Sequence, residues 1–300
     1  MDVQAIFGGP LQPDPAIALP DYSVEFPPDG PAHQAQYVVE LVGERTVPIS
    51  SAQALLDPRL QGPLGTPEVW VMRPSDSTWV RLSSSLSGSV DSVALSWHFE
   101  SADGSLSVAS ASHLLQIAEQ FAAGIGRRAM AMPVPEDVPK ALKRLDAARR
   151  SLDIGFELFC VGKTWIPEAD IWRVCAGLGM DLRDGLFRWP ANGASLVTVA
   201  PIGDIESFSL QAVEAGAVHE GVSIGFSVPT SAAPRVAQDA CFRIADAFET
   251  KLGTTNSTDD DQSLTLPVRA RAKTQLESAI SALTDAGFAP GSRAARLTFG

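Results

Sequence analysis

Gly221-Val222-Ser223-Ile224-Gly225 fits the string G-x-S-x-G, in which a serine on a sharp strand-to-helix turn acts as a nucleophile. Such an elbow needs the turn at the serine, a helix directly after it, and a triad histidine further along the chain. Here apolar and polar residues keep alternating through Phe226-Ser227-Val228-Pro229, so Ser223 is predicted to lie inside one strand, and the last histidine, His219, precedes it. His33, His98 and His113 stand at no metal-ligand spacing from one another or from a cysteine. Asp259-Asp260-Asp261 lacks the regular acidic spacing of a calcium loop and reads as a solvated hairpin tip. There is no P-loop and no G-x-G-x-x-G. Cys160, Cys175 and Cys241 fall on apolar faces and read as small core residues. The residues therefore point to binding and not to catalysis, with no cofactor and no metal expected.

Composition narrows the class of partner. The chain has 300 residues, enough for about two domains. Lys and Arg number 23 against 35 Asp and Glu, a formal charge of −12. That balance argues against nucleic acid, which calls for a basic footprint, and against a bare anionic membrane surface. A content of 45% hydrophobic and 19% charged residues supports a packed core. Three cysteines form no disulfide framework, which fits a reducing compartment. The start, Met1-Asp2-Val3-Gln4, has no basic n-region, and no run approaches the about 20 apolar residues of a membrane span, so a cytoplasmic protein is expected.

The elements that position these residues follow from periodicity. Residues 1–34 hold seven of the 22 prolines and are expected to form an extended or disordered tail, in which Ile6-Phe7 and Ile17-Ala18-Leu19 could dock. Strands are expected at Gln36–Val42, Val69–Arg73, Trp79–Leu82 and Ser92–Phe99. A long helix carries Leu114, Ile117, Ala118, Phe121 and Ile125 and stops at Gly126; a charged helix over about Glu136–Leu152 closes this half. The second half repeats the order. A strand at about Ile154–Val161 leads through Pro167 to a helix with Ile171, Val174, Cys175 and Leu178 inward. Strands at Leu186–Trp189, Ser195–Ala200 and Val222–Val228 precede a helix opened by Pro234 and ended by Gly253, and a last helix spans about Ala270–Ala286. Subtracting 127 places Cys241, Ile244, Ala245, Phe248, Leu252 and Gly253 on Leu114, Ile117, Ala118, Phe121, Ile125 and Gly126. The expected fold is α+β, an antiparallel sheet with helices on one face, duplicated in tandem as residues 35–152 and 153–300.

Several residues of the second half carry a resemblance. Phe156–Val161 leads through Trp165-Ile166-Pro167 into a helix ending Ala176-Gly177-Leu178-Gly179. Gly185-Leu186-Phe187-Arg188-Trp189 is an apolar-aromatic-basic strand, and Ser195–Ile202 leads towards Phe208. Gly221–Pro229 is followed by the long helix, Lys251-Leu252-Gly253 and the Asp-rich hairpin. In this order the motifs resemble the C-terminal FtsZ-binding domain of the bacterial cell-division protein ZipA, over about residues 154–284, in a branch without the membrane anchor. The resemblance implies a split β-α-β arrangement with one bare sheet face that takes the C-terminal peptide of FtsZ, an amphipathic segment that becomes helical there. With Ile224, Phe226 and Val228 inward, strand parity turns Ser223, Gly225 and Ser227 outward. Phe159 and Val161, Leu186 and Arg188, and Thr198, Ala200 and Ile202 would share that face. The family has an aromatic where Gly225 stands and an asparagine where Pro201 stands.

The resemblance thus implies a non-enzymatic cell-division protein, cytoplasmic and recruited to the division site, that binds FtsZ. A different protein partner on the same fold is the alternative, motivated by Gly225 and by the polar Glu157 and Arg188. A small-molecule or enzymatic site would need a deep pocket with convergent polar groups.

Overall fold

A computed structural model describes residues 6–56, 65–101, 104–191, 193–203 and 207–300. In chain order the principal elements are β1 (Gln36–Val42), α1 (Ile49–Gln53), β2 (Glu68–Met72), β3 (Trp79–Arg81), β4 (Ser92–His98), α2 (Val108–Gly124), β5 (Arg128–Met132) and α3 (Val138–Leu152). Then follow β6 (Gly155–Pro167), α4 (Glu168–Gly177), β7 (Asp181–Arg183), β8 (Leu186–Trp189), β9 (Val197–Ile202), α5 (Leu210–Glu214), β10 (Val218–Ser227), α6 (Pro234–Leu252), β11 (Thr255–Thr258), α7 (Leu266–Asp285) and α8 (Arg293–Phe299). The fold is α+β with antiparallel sheets. It divides into two compact units: Pro27–Leu152 with Leu283–Gly300, and Asp153–Ala282 with Met1–Phe26.

The first-half unit is built on a sheet of order β3-β2-β4-β1-β5. Tyr37, Val39 and Leu41 of β1 and their partners Trp97, Leu95 and Val93 on β4 are fully or almost fully buried. This face meets α2, where the Tyr37 hydroxyl donates to the Ala111 carbonyl at 3.1 Å. The Ser107 side chain caps α2 by accepting from the Ser110 N–H at 3.0 Å. Past its end Gly126 takes a left-handed φ of 69°, which favours glycine.

Arg127, only 5% exposed, follows at once. Its guanidinium donates to the carbonyls of Leu41 at 2.9 Å, Arg45 at 2.8 Å and Val90 at 3.5 Å. Burial pulls its pKa below the usual guanidinium range; the three carbonyls engage both terminal nitrogens, while Nε is buried without a partner. Arg127→Met is expected to lower stability by about 2–4 kcal/mol, because buried carbonyls lose a charged donor. Urea unfolding followed by circular dichroism checks this; a loss under about 0.5 kcal/mol would contradict it.

The second-half unit has a sheet of order β7-β8-β9-β10-β6-β11, antiparallel throughout. Leu158, Cys160, Phe187, Trp189, Val197, Val199, Val222 and Ile224 are buried in one core with Ile171, Val174 and Cys175 of α4 and Cys241, Ile244, Ala245 and Phe248 of α6. Helix α7 lies on α6, tied by Gln238 Nε2 to the Ala272 carbonyl at 3.1 Å, Lys273 to Asp239 at 2.8 Å and Arg235 to Glu277 at 2.6 Å.

Two expected boundaries are corrected. The described part of the Pro-rich stretch, from residue 6 on, is not a free tail. Phe7 stacks on Trp172 with ring centroids 5.7 Å apart, Leu19 is buried, and Tyr22 lies 5.9 Å from Trp189. The physical reason lies at the end of α4, whose last carbonyls have no partner within the helix. The Asp14 N–H bonds the Gly177 carbonyl at 2.8 Å and the Leu19 N–H bonds the Leu178 carbonyl at 3.1 Å, while the Asp14 carboxylate takes Lys251 at 2.9 Å. Prolines remove donors, but the donors that remain fall where α4 needs them. Residues 283–300, in turn, pack with the first half and not with residues 153–282. The expectation resting on the first four residues lies outside the described residues.

Candidate functional site

Strand pairing fixes which predicted residues stand together. Across β6, β10 and β9 one row reads Glu157, Gly225, Thr198; the next reads Phe159, Ser223, Ala200; the third reads Val161, Gly221, Ile202. Arg188 on β8 extends the first row beside Thr198, and Asp181 on β7 stands opposite Arg188. Ser227 lies further along β10, opposite Gly155, and Leu186 alternates with the buried Phe187. Since residues at every second position share a face, Phe159, Val161, Leu186, Arg188, Thr198, Ala200, Ile202, Ser223, Gly225 and Ser227 lie on the side opposite α4 and α6. All ten are half-buried or exposed. Val161 is 41% exposed, and Trp165, in the irregularity of β6 after Val161, is 59% exposed. Trp165 adds an exposed tryptophan to the same strand.

The glycines of β10 have a steric cause. A Cβ on Gly221 would sit 2.2 Å from the Cys160 carbonyl oxygen and 2.9 Å from the Val161 Cα. On Gly225 it would sit 2.8 Å from the Phe156 carbonyl oxygen. An aromatic at position 225 is therefore incompatible with this spacing of β6 and β10. Gly221→Ala is expected to lower stability by about 1–3 kcal/mol through backbone displacement, read as a fall in thermal midpoint; an unchanged midpoint would show that the strands part freely.

Charge on the face is uneven. Arg188 has Asp184 at 3.7 Å. Among the described residues no cation stands within ion-pair distance of Glu157. The row from Asp181 to Glu157 thus carries one positive and two negative side chains, whereas the next two rows are apolar or small.

Within the core the structure places a pair that sequence reasoning missed. Glu168, the first residue of α4, meets His219 at 2.9 Å, and the two side chains are 0% and 1% exposed. The other Glu168 oxygen accepts from the Ser209 N–H at 2.8 Å and from Trp172 Nε1 at 3.2 Å. Both carboxylate oxygens are occupied, so the pair ties α4, β10 and the segment before α5 together and offers no open coordination. The only sequence signal was an acidic residue in a first turn after a proline.

Ser223 lies within β10, not on a turn, and is paired with Phe159 and Ala200. The three cysteines are buried and free, and burial pushes their thiols up in pKa, away from the reactive thiolate. Among the described residues no group of three or more His, Cys, Asp or Glu could hold a metal, and no helix is long and apolar enough to cross a membrane. No protein-family model matches the sequence, and no curated protein matches it.

Proposed function

We propose that the chain is a non-enzymatic cell-division adaptor of the ZipA C-terminal type, whose second-half unit takes the C-terminal peptide of FtsZ on its open sheet face. The reading is supported by one observation above the others: an antiparallel sheet backed by α4 and α6 keeps the apolar residues of two adjacent rows, Phe159, Ala200, Val161 and Ile202, on its other side and partly exposed. A helix can lie across such rows and bury its apolar stripe there. The chain would act in the cytoplasm and reach the division site through this contact.

A tandem duplication belongs to the same proposal. In each half the strand before the long helix (β4, β10) and the strand after it (β5, β11) flank the first strand (β1, β6). Pro48 and Pro167 precede the short helices α1 and α4 with similar backbone angles. Gly126 and Gly253 follow the long helices with φ of 69° and 67°. Cross-strand aromatic pairs recur as Tyr37 with Trp97 at 6.2 Å and Phe156 with Phe226 at 5.5 Å.

Fluorescence anisotropy of a labelled FtsZ C-terminal peptide titrated with the full chain tests the proposal. Saturable binding in the micromolar range is expected; no binding at high micromolar concentration overturns it and leaves a different protein partner as the reading.

A further inference from the structure

The chain holds its own example of a helix-borne arginine set against the corresponding sheet face. In the first-half unit, on the side away from α2, β1, β4 and β2 form the rows Val38, Ser96, Glu68 and Glu40, Ala94, Trp70. Val38 and Ala94 are fully buried and Ser96 nearly so. The C-terminal segment reaches this face through the first residue of α8. The Arg293 guanidinium lies 4.8 Å from the centroid of the Trp70 ring and pairs with the Glu68 carboxylate. That carboxylate also takes Gln36 Nε2 at 2.9 Å. Burial raises the Glu68 pKa, but the hydrogen bonds from Gln36 and Arg293 outweigh it and hold the carboxyl below its ordinary range. Ala294, Ala295 and Thr298 of the same helix are buried.

The second-half unit carries the matching rows. Adding 119 to Val38 gives Glu157, adding 129 to Ser96 gives Gly225, and adding 130 to Glu68 gives Thr198, and those three stand side by side across β6, β10 and β9. The next row, Glu40, Ala94 and Trp70, becomes Phe159, Ser223 and Ala200 by the same additions. Each first row holds one carboxylate, moved from the β2 position in one unit to the β6 position in the other. In the first-half unit that carboxylate has an arginine from a helix; Glu157 has no cation among the described residues.

We infer that the open face of the second-half unit takes an amphipathic helix that sets an arginine or lysine against Glu157 while its apolar side chains cover Phe159, Ala200 and Ile202. The inference rests on reading this face as a docking surface and adds the chemistry of the occupant. Charge-pair formation at the exposed Glu157 supplies orientation, because only one direction of the helix brings its basic residue there.

Two labelled probes are titrated with the full chain: the FtsZ C-terminal peptide and a synthetic peptide of residues 287–300. The chain's own copy of that segment, covalently attached, keeps the first-half face filled. Glu157→Gln is expected to weaken binding of a probe about 5–10-fold and to flatten its salt dependence, with an unchanged thermal melt. Adding Thr198→Glu, which puts the carboxylate where Glu68 stands in the other unit, is expected to restore most of the affinity. Hydrogen exchange should place the bound probe on β6, β9 and β10. If the FtsZ peptide fails but the 287–300 peptide binds with this Glu157 dependence, the FtsZ proposal fails and the inference stands. If a probe binds equally well to Glu157→Gln, the inference is overturned while the docking surface survives. Protection confined to β1, β2 and β4, or no binding of either probe, also overturns it.

Discussion

Glu168→Ala is expected to cost the second-half unit about 3–5 kcal/mol, the largest stability loss of any single substitution considered for it. The carboxylate is fully buried and engages His219, the Ser209 N–H and Trp172 Nε1 at once. Alanine leaves all three without a partner in a site that water does not reach, and each orphaned group carries its own desolvation cost. Glu168→Gln retains an acceptor for Ser209 or Trp172 and is expected to lose about half as much. Urea unfolding of the full chain with tryptophan fluorescence reads the difference, since Trp172 itself reports on the site. A loss below about 1 kcal/mol for the alanine variant would mean that the pair is not a structural tie and would reopen a chemical role for it.

The combined substitution Phe159→Asp with Ile202→Asp is expected to weaken peptide binding about 100-fold while leaving the fold intact. Both side chains lie on the exposed side of the sheet, so the core of α4 and α6 loses no contact. A docked helix, by contrast, would have to bury two carboxylates against its apolar stripe. Loss of two apolar anchors near the middle of an interface removes the contacts that usually dominate affinity. Anisotropy with the FtsZ peptide measures the loss and circular dichroism controls for folding. Unchanged FtsZ binding in a folded variant would move the site elsewhere and favour the alternative of another partner.

Some of this architecture is legible in the residue order because it rests on local physics. Strand β1 has the bounds that its apolar run predicts, α6 stops at Gly253 as periodicity points to, and α2 ends one residue earlier than expected, with Ile125 between its last residue and Gly126. Parity likewise places the ten face residues, since it needs only the inward set of β6, β8, β9 and β10. What escapes is non-local. Strand β5 reads Arg-Ala-Met-Ala-Met, without β-branched residues, and exists because β1 offers it an edge. Strand β11 is wholly polar and pairs with β6 for the same reason. Helix α8 is too short to declare itself, and what ties it to the first-half sheet is Arg293 reaching a carboxylate 225 residues away in the chain. Glu168 and His219 stand 51 residues apart, and nothing in their spacing links them. The tight approach of β6 to β10 at Gly221 and Gly225 is a matter of distances that no residue pattern encodes.

The two ends of the polypeptide are exchanged between the halves: the described residues up to Phe26 complete the later half, and those from Leu283 onward complete the earlier one. Dissection at the midpoint would therefore yield two defective fragments. A piece beginning at Asp153 would bare Trp172 and Trp189 where Phe7 and Tyr22 had rested, and a piece stopping at Leu152 would strip Trp70 and Glu68 of Arg293. Autonomous fragments are better designed by grafting each terminal strip onto its own half through a flexible tether, and proteolytic trimming of either end would be felt in the half more distant from that end in the sequence.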